Sequence, residues 1–166
     1  MSALRLSRHQ TLEIVASEPD RIVVETTYLP GGSQPPTHYH PQQDENFEVL
    51  AGTLRVELNG EVRDLGPGDK LTVRRGQVHK MWNPGTEAAR AHWETIPALR
   101  TEEWFRGIDR LQAEAEEQGR SGPAPLAFAA HAAAHRDLFR LVVGGPKPLG
   151  DIVVRVLGLV GGLLRR

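Results

Sequence analysis

The first 97 residues predict an all-β sandwich or barrel, and the residues after them a helical extension. Three observations carry this. Before Pro97, short runs of β-branched and aromatic residues are punctuated by Gly, Pro, Asn and Asp, the pattern of strands and tight turns. In LRVELNGEVRDL, Leu54, Val56 and Leu58 alternate with Arg55 and Glu57, and Asn59-Gly60 supplies the positive φ angles of a type I′ hairpin turn. After Pro97 the apolar spacing becomes helical, with Trp104, Phe105, Ile108 and Leu111 on one face. Many short strands with close turn signals indicate a sandwich or barrel rather than an α/β sheet.

Taken in order, strands are expected at Leu12–Ala16, Ile22–Leu29, Glu45–Ala51, Thr53–Leu58, Glu61–Leu65, Lys70–Val73, Val78–Trp82 and Ala89–Ile96. Thr101 is placed as the N-cap of the first helix, with Glu102 and Glu103 where the helix dipole favours negative charge. QGRSGPAP, residues 118–125, reads as a linker. A second helix is expected from Leu126 to Val143, broken by GGPKP, and a third from Leu149 to Leu164. The expected organisation is a barrel over residues 1–97 and a helical extension over 98–166, packed on the barrel or on a partner subunit.

At 166 residues the chain is long enough for one domain with a substantial core. Its composition is that of a globular protein, 39% hydrophobic and 25% charged, with a net charge of −1. The charges are mixed along the chain without a basic stripe, so nucleic acid is not an expected partner. The absence of cysteine removes disulfides, thiolate ligands and cysteine nucleophiles, which leaves His and carboxylate as the strong metal ligands. Met1 to Arg21 carries Arg5, Arg8, Glu13, Glu18 and Asp20 and no apolar core of leader length, so a cytoplasmic location is expected. The most apolar stretch, Ile152–Leu164, is interrupted by Arg155 and falls well short of the ~20 residues of a membrane span, so packing is expected there rather than membrane association.

The chemistry concentrates between Gly32 and Asn83. Gly32 is followed by five residues, His38-Tyr39-His40, four residues, Glu45, six residues and Gly52. On a strand, residues two apart point to the same face, so His38 and His40 aim together. A short loop can fold the Glu45 carboxylate back towards them. GDKLTVRRGQVHKMWN then returns a third imidazole, His79, from a separate strand. Three imidazoles and one carboxylate suit Fe, Mn, Ni, Cu, Co or Zn, as one divalent metal per chain. Such a site retains open positions for a chelating small molecule.

These stretches resemble the two cupin motifs. The first matches G-x5-H-x-H-x3,4-E-x6-G at every specified position, and the second matches G-x5-P-x-G-x2-H-x3-N with Arg74 where proline is usual. The resemblance covers about Val23 to Pro97, and the helical tail resembles that of small bacterial single-domain cupins. It implies a cupin double-stranded β-helix (jelly-roll) barrel with C-terminal α-helices, a metal on His38, His40, Glu45 and His79, and a homodimer. It also implies an enzyme acting on a small organic molecule, a dioxygenase first. The alternatives are a Lewis-acid isomerase or cyclase, in which Glu45 detaches to shuttle a proton, and a non-catalytic binding module.

Strand parity turns Phe47 and Val49 inward with Glu45, and Met81 with His79, while Trp82 points outward. Phe47, Val49 and Met81 form with Val56 and Trp93 the expected substrate pocket, an apolar one. Asn83 is assigned a turn or ligand-contact role, and the parity of His92 is open. His131 and His135, four apart with only alanine between them, are assigned to packing.

Overall fold

A computed structural model describes residues 3–142 of the chain; the expected third helix and the GGPKP break lie outside them. The described residues form β1 (Leu4–Ser7), β2 (Gln10–Ser17), β3 (Ile22–Tyr28), β4 (His38–Tyr39), β5 (Asp44–Ala51), β6 (Leu54–Leu58), β7 (Glu61–Leu65), β8 (Lys70–Val73), β9 (His79–Trp82), β10 (Ala89–Ile96), α1 (Thr101–Glu117), α2 (Pro125–Ala134) and β11 (Arg140–Leu141). The hairpin β6–β7 turns on Asn59 and Gly60 at φ of 51° and 90°, as its sequence predicts, and pairs Leu58 with Glu61. Gly52 joins β5 to β6 at φ 70°, and a Cβ there would lie 2.6 Å from the Ala88 carbonyl oxygen, so only glycine fits.

The strands form two antiparallel sheets, ordered β1-β2-β3-β10-β5-β8 and β11-β4-β9-β6-β7, the facing sheets of a jelly roll. Between them lies a core of Tyr28, Phe47, Val49, Leu54, Val56 and Met81 among others. A second core joins Leu12, Ile22 and Val24 of the larger sheet to Trp104, Phe105, Ile108 and Leu111, the apolar face of α1. Trp93 on β10 packs against both cores.

Several elements differ from the sequence expectation. Strand β1 was not expected, although Leu4 and Leu6 alternate with Arg5 and Ser7. Its edge is covered by α1: the Arg5 amide donates to Asp109 at 2.9 Å and its guanidinium reaches Glu116 at 2.8 Å. Thr101 is the first helical residue, and Arg100 occupies the cap position. The Thr101 hydroxyl is already committed, donating to Ala98 O at 2.6 Å and accepting from Gln43 Nε2 at 2.7 Å. At its other end α1 closes with Gly119 at φ 68°, Arg120 N donating to Ala115 O and Gly119 N to Glu116 O, a Schellman motif that opens the linker. The second helix stops at Ala134, not Val143. Arg100 takes the Ala134 carbonyl and Asp137, and residues 140–141 pair instead with β4, so tertiary contacts override helix propensity.

Four rings stack across these elements. Phe139 lies between His38 (4.6 Å) and Trp104 (4.7 Å), and the far face of Trp104 carries His131 (4.7 Å). His131 also donates from Nε2 to the Trp104 carbonyl at 3.1 Å, and buried His135 meets the Trp104 ring edge-on at 5.6 Å, so both pack against the helix. The His131 ring sits where a Cβ on Gly107 would be. No helix among the described residues is long and apolar enough to cross a membrane.

Two predictions follow from the stack. Gly107→Ala forces the His131 ring aside and should cost about 1–3 kcal/mol in chemical denaturation. Burial first of all lowers the His131 pKa from 6.5 to about 4, so the folded state binds fewer protons than the unfolded chain between those values. That contribution is complete above pH 6.5 and is lost as pH falls towards 4. His131→Phe keeps a ring and has no proton to bind, so its denaturation midpoint should fall less steeply over this interval than that of the wild type.

Candidate metal centre

Strands β4, β5 and β9 and the exit of β4 carry the ligands, and the loops beside them are tied down at several points. His38 lies opposite His79 in the β4–β9 pairing, which brings the two imidazoles side by side. His40 follows β4 directly, and its carbonyl accepts from Gly76 N at 2.8 Å, joining the loop before β5 to the loop before β9. Buried Gln43 reaches Pro97 O at 2.8 Å and Thr101 Oγ1 at 2.7 Å, fixing the residues ahead of Glu45 to the start of α1. Where the cupin motif has proline, Arg74 N donates to Gln77 Oε1 at 2.7 Å, and Arg74 and Arg75 both reach Asp44. Hydrogen bonds from Arg75 above all hold the Asp44 carboxyl at about 2.

Ligand atoms of His38, His40 and His79 lie within 4.8 Å of one another. In each ring Nδ1 faces a backbone carbonyl: Pro36 O at 2.8 Å, Leu138 O at 2.7 Å and Gln77 O at 3.2 Å respectively. A carbonyl only accepts, so Nδ1 carries the hydrogen in all three and Nε2 is left as the ligand nitrogen. Glu45 Oε2 stands 3.1 Å from His79 Nε2 and 3.3 Å from His40 Nε2, while Oε1 accepts from Trp93 Nε1 at 3.1 Å. His40 Nε2 and Glu45 Oε2 are buried without a hydrogen-bond partner, the condition a cation relieves. The donor set therefore fits a divalent metal.

The electrostatics agree. Burial pushes the Glu45 carboxyl up, but His40, His79 and His38 outweigh it and hold it at about 2. Burial, then the neighbouring His79 and His40, keeps His38 well below the ordinary histidine value. Burial lowers His40 too, against the pull of Glu45. Burial also acts to lower His79, but the Glu45 carboxylate beside it prevails and its pKa is raised. Two imidazoles thus stand neutral, the form that ligates metal.

The four residues open onto a chamber of about 170 Å³. Phe47, Met81 and Trp93 line it. Val49 and Val56 do not; they are 1% and 0% exposed within the barrel core. Trp104 and Phe105 of α1, Phe128 of α2, and Leu138 and Phe139 beyond it complete the chamber wall from outside the barrel, unexpected from sequence because helix docking, and for the last two the end of α2, sets their positions. An adjoining cleft of about 650 Å³ shares Leu6, Tyr28, Met81 and Phe128 with it. His92 is the outward residue between buried Ala91 and Trp93, and Trp82 faces out beside Lys80. Asn83 holds a turn, donating to Tyr28 O at 2.9 Å and Glu87 O at 2.7 Å.

Residues 24–94 match the family model described as the Cupin domain. This part of the chain is a cupin domain. Among solved cupin-like structures, a conserved protein with a double-stranded β-helix domain from Klebsiella pneumoniae is 28% identical, with a TM-score of 0.51 over 58% of this chain and 84% of that one. An oxidoreductase of Arthrobotrys oligospora is 43% identical over 56 residues, 32% of this chain and 22% of that protein. The tetracenomycin polyketide synthase protein TcmJ of Streptomyces glaucescens is 36% identical over 69 residues, 42% of this chain and 46% of that protein. The match thus spans less than half the length of these curated relatives.

In this protein, His38→Ala and His79→Ala should each abolish tight metal binding while leaving a folded protein, read by elemental analysis beside circular dichroism. Trp93→Phe removes the donor behind Glu45 and should weaken metal affinity roughly 10- to 100-fold in a competition titration.

Proposed function

We propose that this cupin is a metal-dependent enzyme with one mononuclear site, acting by oxidation, with dioxygenase-type chemistry foremost, on a small and largely apolar organic compound. The observation that carries the reading is the meeting of one buried carboxylate and three imidazoles, each fixed through Nδ1, at the wall of an aromatic chamber. The oxidoreductase name borne by the Arthrobotrys relative supports the reaction class. At about 170 Å³ the chamber is close to the roughly 150 Å³ cavity that takes up benzene, so it suits a ring of that size carrying oxygen atoms.

In this proposal His38, His40, Glu45 and His79 hold the metal, which supplies activation of dioxygen if redox-active and polarisation of a carbonyl if not. The protein's own contribution is placement. Trp93 and Phe47, stacked at 5.4 Å, offer a flat apolar wall to a ring. Phe105 closes the chamber behind Trp93 at 5.1 Å and keeps bulk water from the reacting face. Trp93 Nε1 holds Glu45 Oε1, so the carboxylate presents one oxygen to the site.

The test is elemental analysis of untagged protein, followed by oxygen-uptake measurements with single-ring phenols, enols and catechols. About one Fe, Mn, Ni, Co or Cu per chain, with oxygen consumed on turnover, is the expected result. Conversion without oxygen uptake on a zinc-loaded protein would replace it with Lewis-acid isomerase or cyclase chemistry. Stoichiometric metal and ligand binding without turnover would leave a binding module. A folded protein that refuses added metal would overturn the proposal.

A further inference from the structure

We propose that residues 138–142 are a working part of the metal centre, with Phe139 and the Leu138 carbonyl positioning two of the three imidazoles. This rests on the metal reading above and adds residues that lie outside the cupin barrel.

The contacts are specific to the two histidines of β4 and its exit. Leu138 O accepts the His40 Nδ1 hydrogen at 2.7 Å, across 98 residues of sequence. That bond fixes both the tautomer and the tilt of the ring, because the carbonyl can only accept. Phe139 covers the face of His38 at 4.6 Å and 25° and meets His40 edge-on at 6.1 Å. The backbone then binds the ligand strand itself: Arg140 pairs with Tyr39 and Leu141 with His38, and Val142 N donates to Thr37 O at 2.9 Å.

The segment is held from behind as well. Trp104 of α1 stacks on the other face of Phe139 at 4.7 Å. Arg100 grips Asp137 at 2.6 Å, and Leu138 N donates to His135 O at 2.9 Å. Phe139 is thus clamped between a helix that belongs to the second core and a ligand of the metal site. Without it, His38 would lose the ring stacked on it and gain rotational freedom about its side-chain axis, while Nδ1 remained bonded to nearby Pro36 O. A looser imidazole binds metal with the same atoms but releases it sooner.

The test uses Co(II) as the probe, with the full chain and three variants: Phe139→Leu, Phe139→Tyr and Val142→Pro. Phe139→Leu keeps apolar bulk without a flat ring, Phe139→Tyr keeps the ring, and Val142→Pro removes the amide that donates to Thr37 O. Measured are thermal unfolding, the visible absorption spectrum of the bound Co(II), and its release rate into excess chelator. The expected result is release at least about tenfold faster, with an altered spectrum, in Phe139→Leu and Val142→Pro, and wild-type behaviour in Phe139→Tyr. A purely structural role for the segment would lower the unfolding temperature and leave release and spectrum unchanged, and that result would overturn the inference. If Phe139→Leu does not fold, Val142→Pro against Phe139→Tyr decides it. Wild-type protein that takes up no Co(II) would instead remove the metal reading, and this inference with it.

Discussion

Glu45 is 1% exposed in a barrel walled by aromatic rings, and a carboxylate in that position needs partners that together outweigh its lost hydration. Its two oxygens divide the task. Oε1 accepts from the Trp93 indole, and Oε2 stands between two imidazole nitrogens. Once His79 is also in the neutral form that ligates metal, three imidazoles and one carboxylate sum to a single negative charge, which a divalent ion more than balances. Much of the surrounding structure serves this arrangement. Gln43 and Asp44, the two residues before Glu45, are each tied to a different part of the fold, so the carboxylate enters the barrel at a fixed angle.

The helices are part of the same argument. Trp93 belongs to a barrel strand, yet it packs against both cores and meets Phe47 on one side and Phe105 of α1 on the other. The indole that steadies the carboxylate is therefore itself steadied from outside the barrel. Arg5, reaching Asp109 and Glu116, holds α1 against the outermost strand. Barrel and helical extension meet at the chamber, and neither alone lines it.

What could be read from the sequence was what depends on local spacing. The Asn59-Gly60 hairpin, the His38-x-His40 pair and the return of His79 each follow from periodicity or turn chemistry within a few residues. Parity also gave the correct facing of Phe47 and Met81, but it says nothing of depth along the barrel. Val49 and Val56 face inward, as parity implies, and are spent on the core rather than the chamber. The end of α2 was not legible, because Ala-rich sequence favours helix and the residues that halt it, Arg100 and β4, lie far away in the chain. The same non-locality hid β1, whose Arg5 amide is satisfied by Asp109, and the role of Leu138 behind His40.

The departure from the cupin motif at Arg74 has a consequence of its own. Proline stiffens a loop through its ring, and that stiffness is indifferent to the solvent. Here the loop before β9 is held instead by two guanidinium groups on Asp44, and both arginines are well exposed. Such a fastening weakens as ionic strength rises, since the attraction between exposed charges fades beyond a Debye length of about 8–10 Å at ordinary salt. The freedom of the strand that delivers His79 is accordingly set in part by the electrolyte around the protein, an adjustable hinge where the motif's proline would make a fixed one.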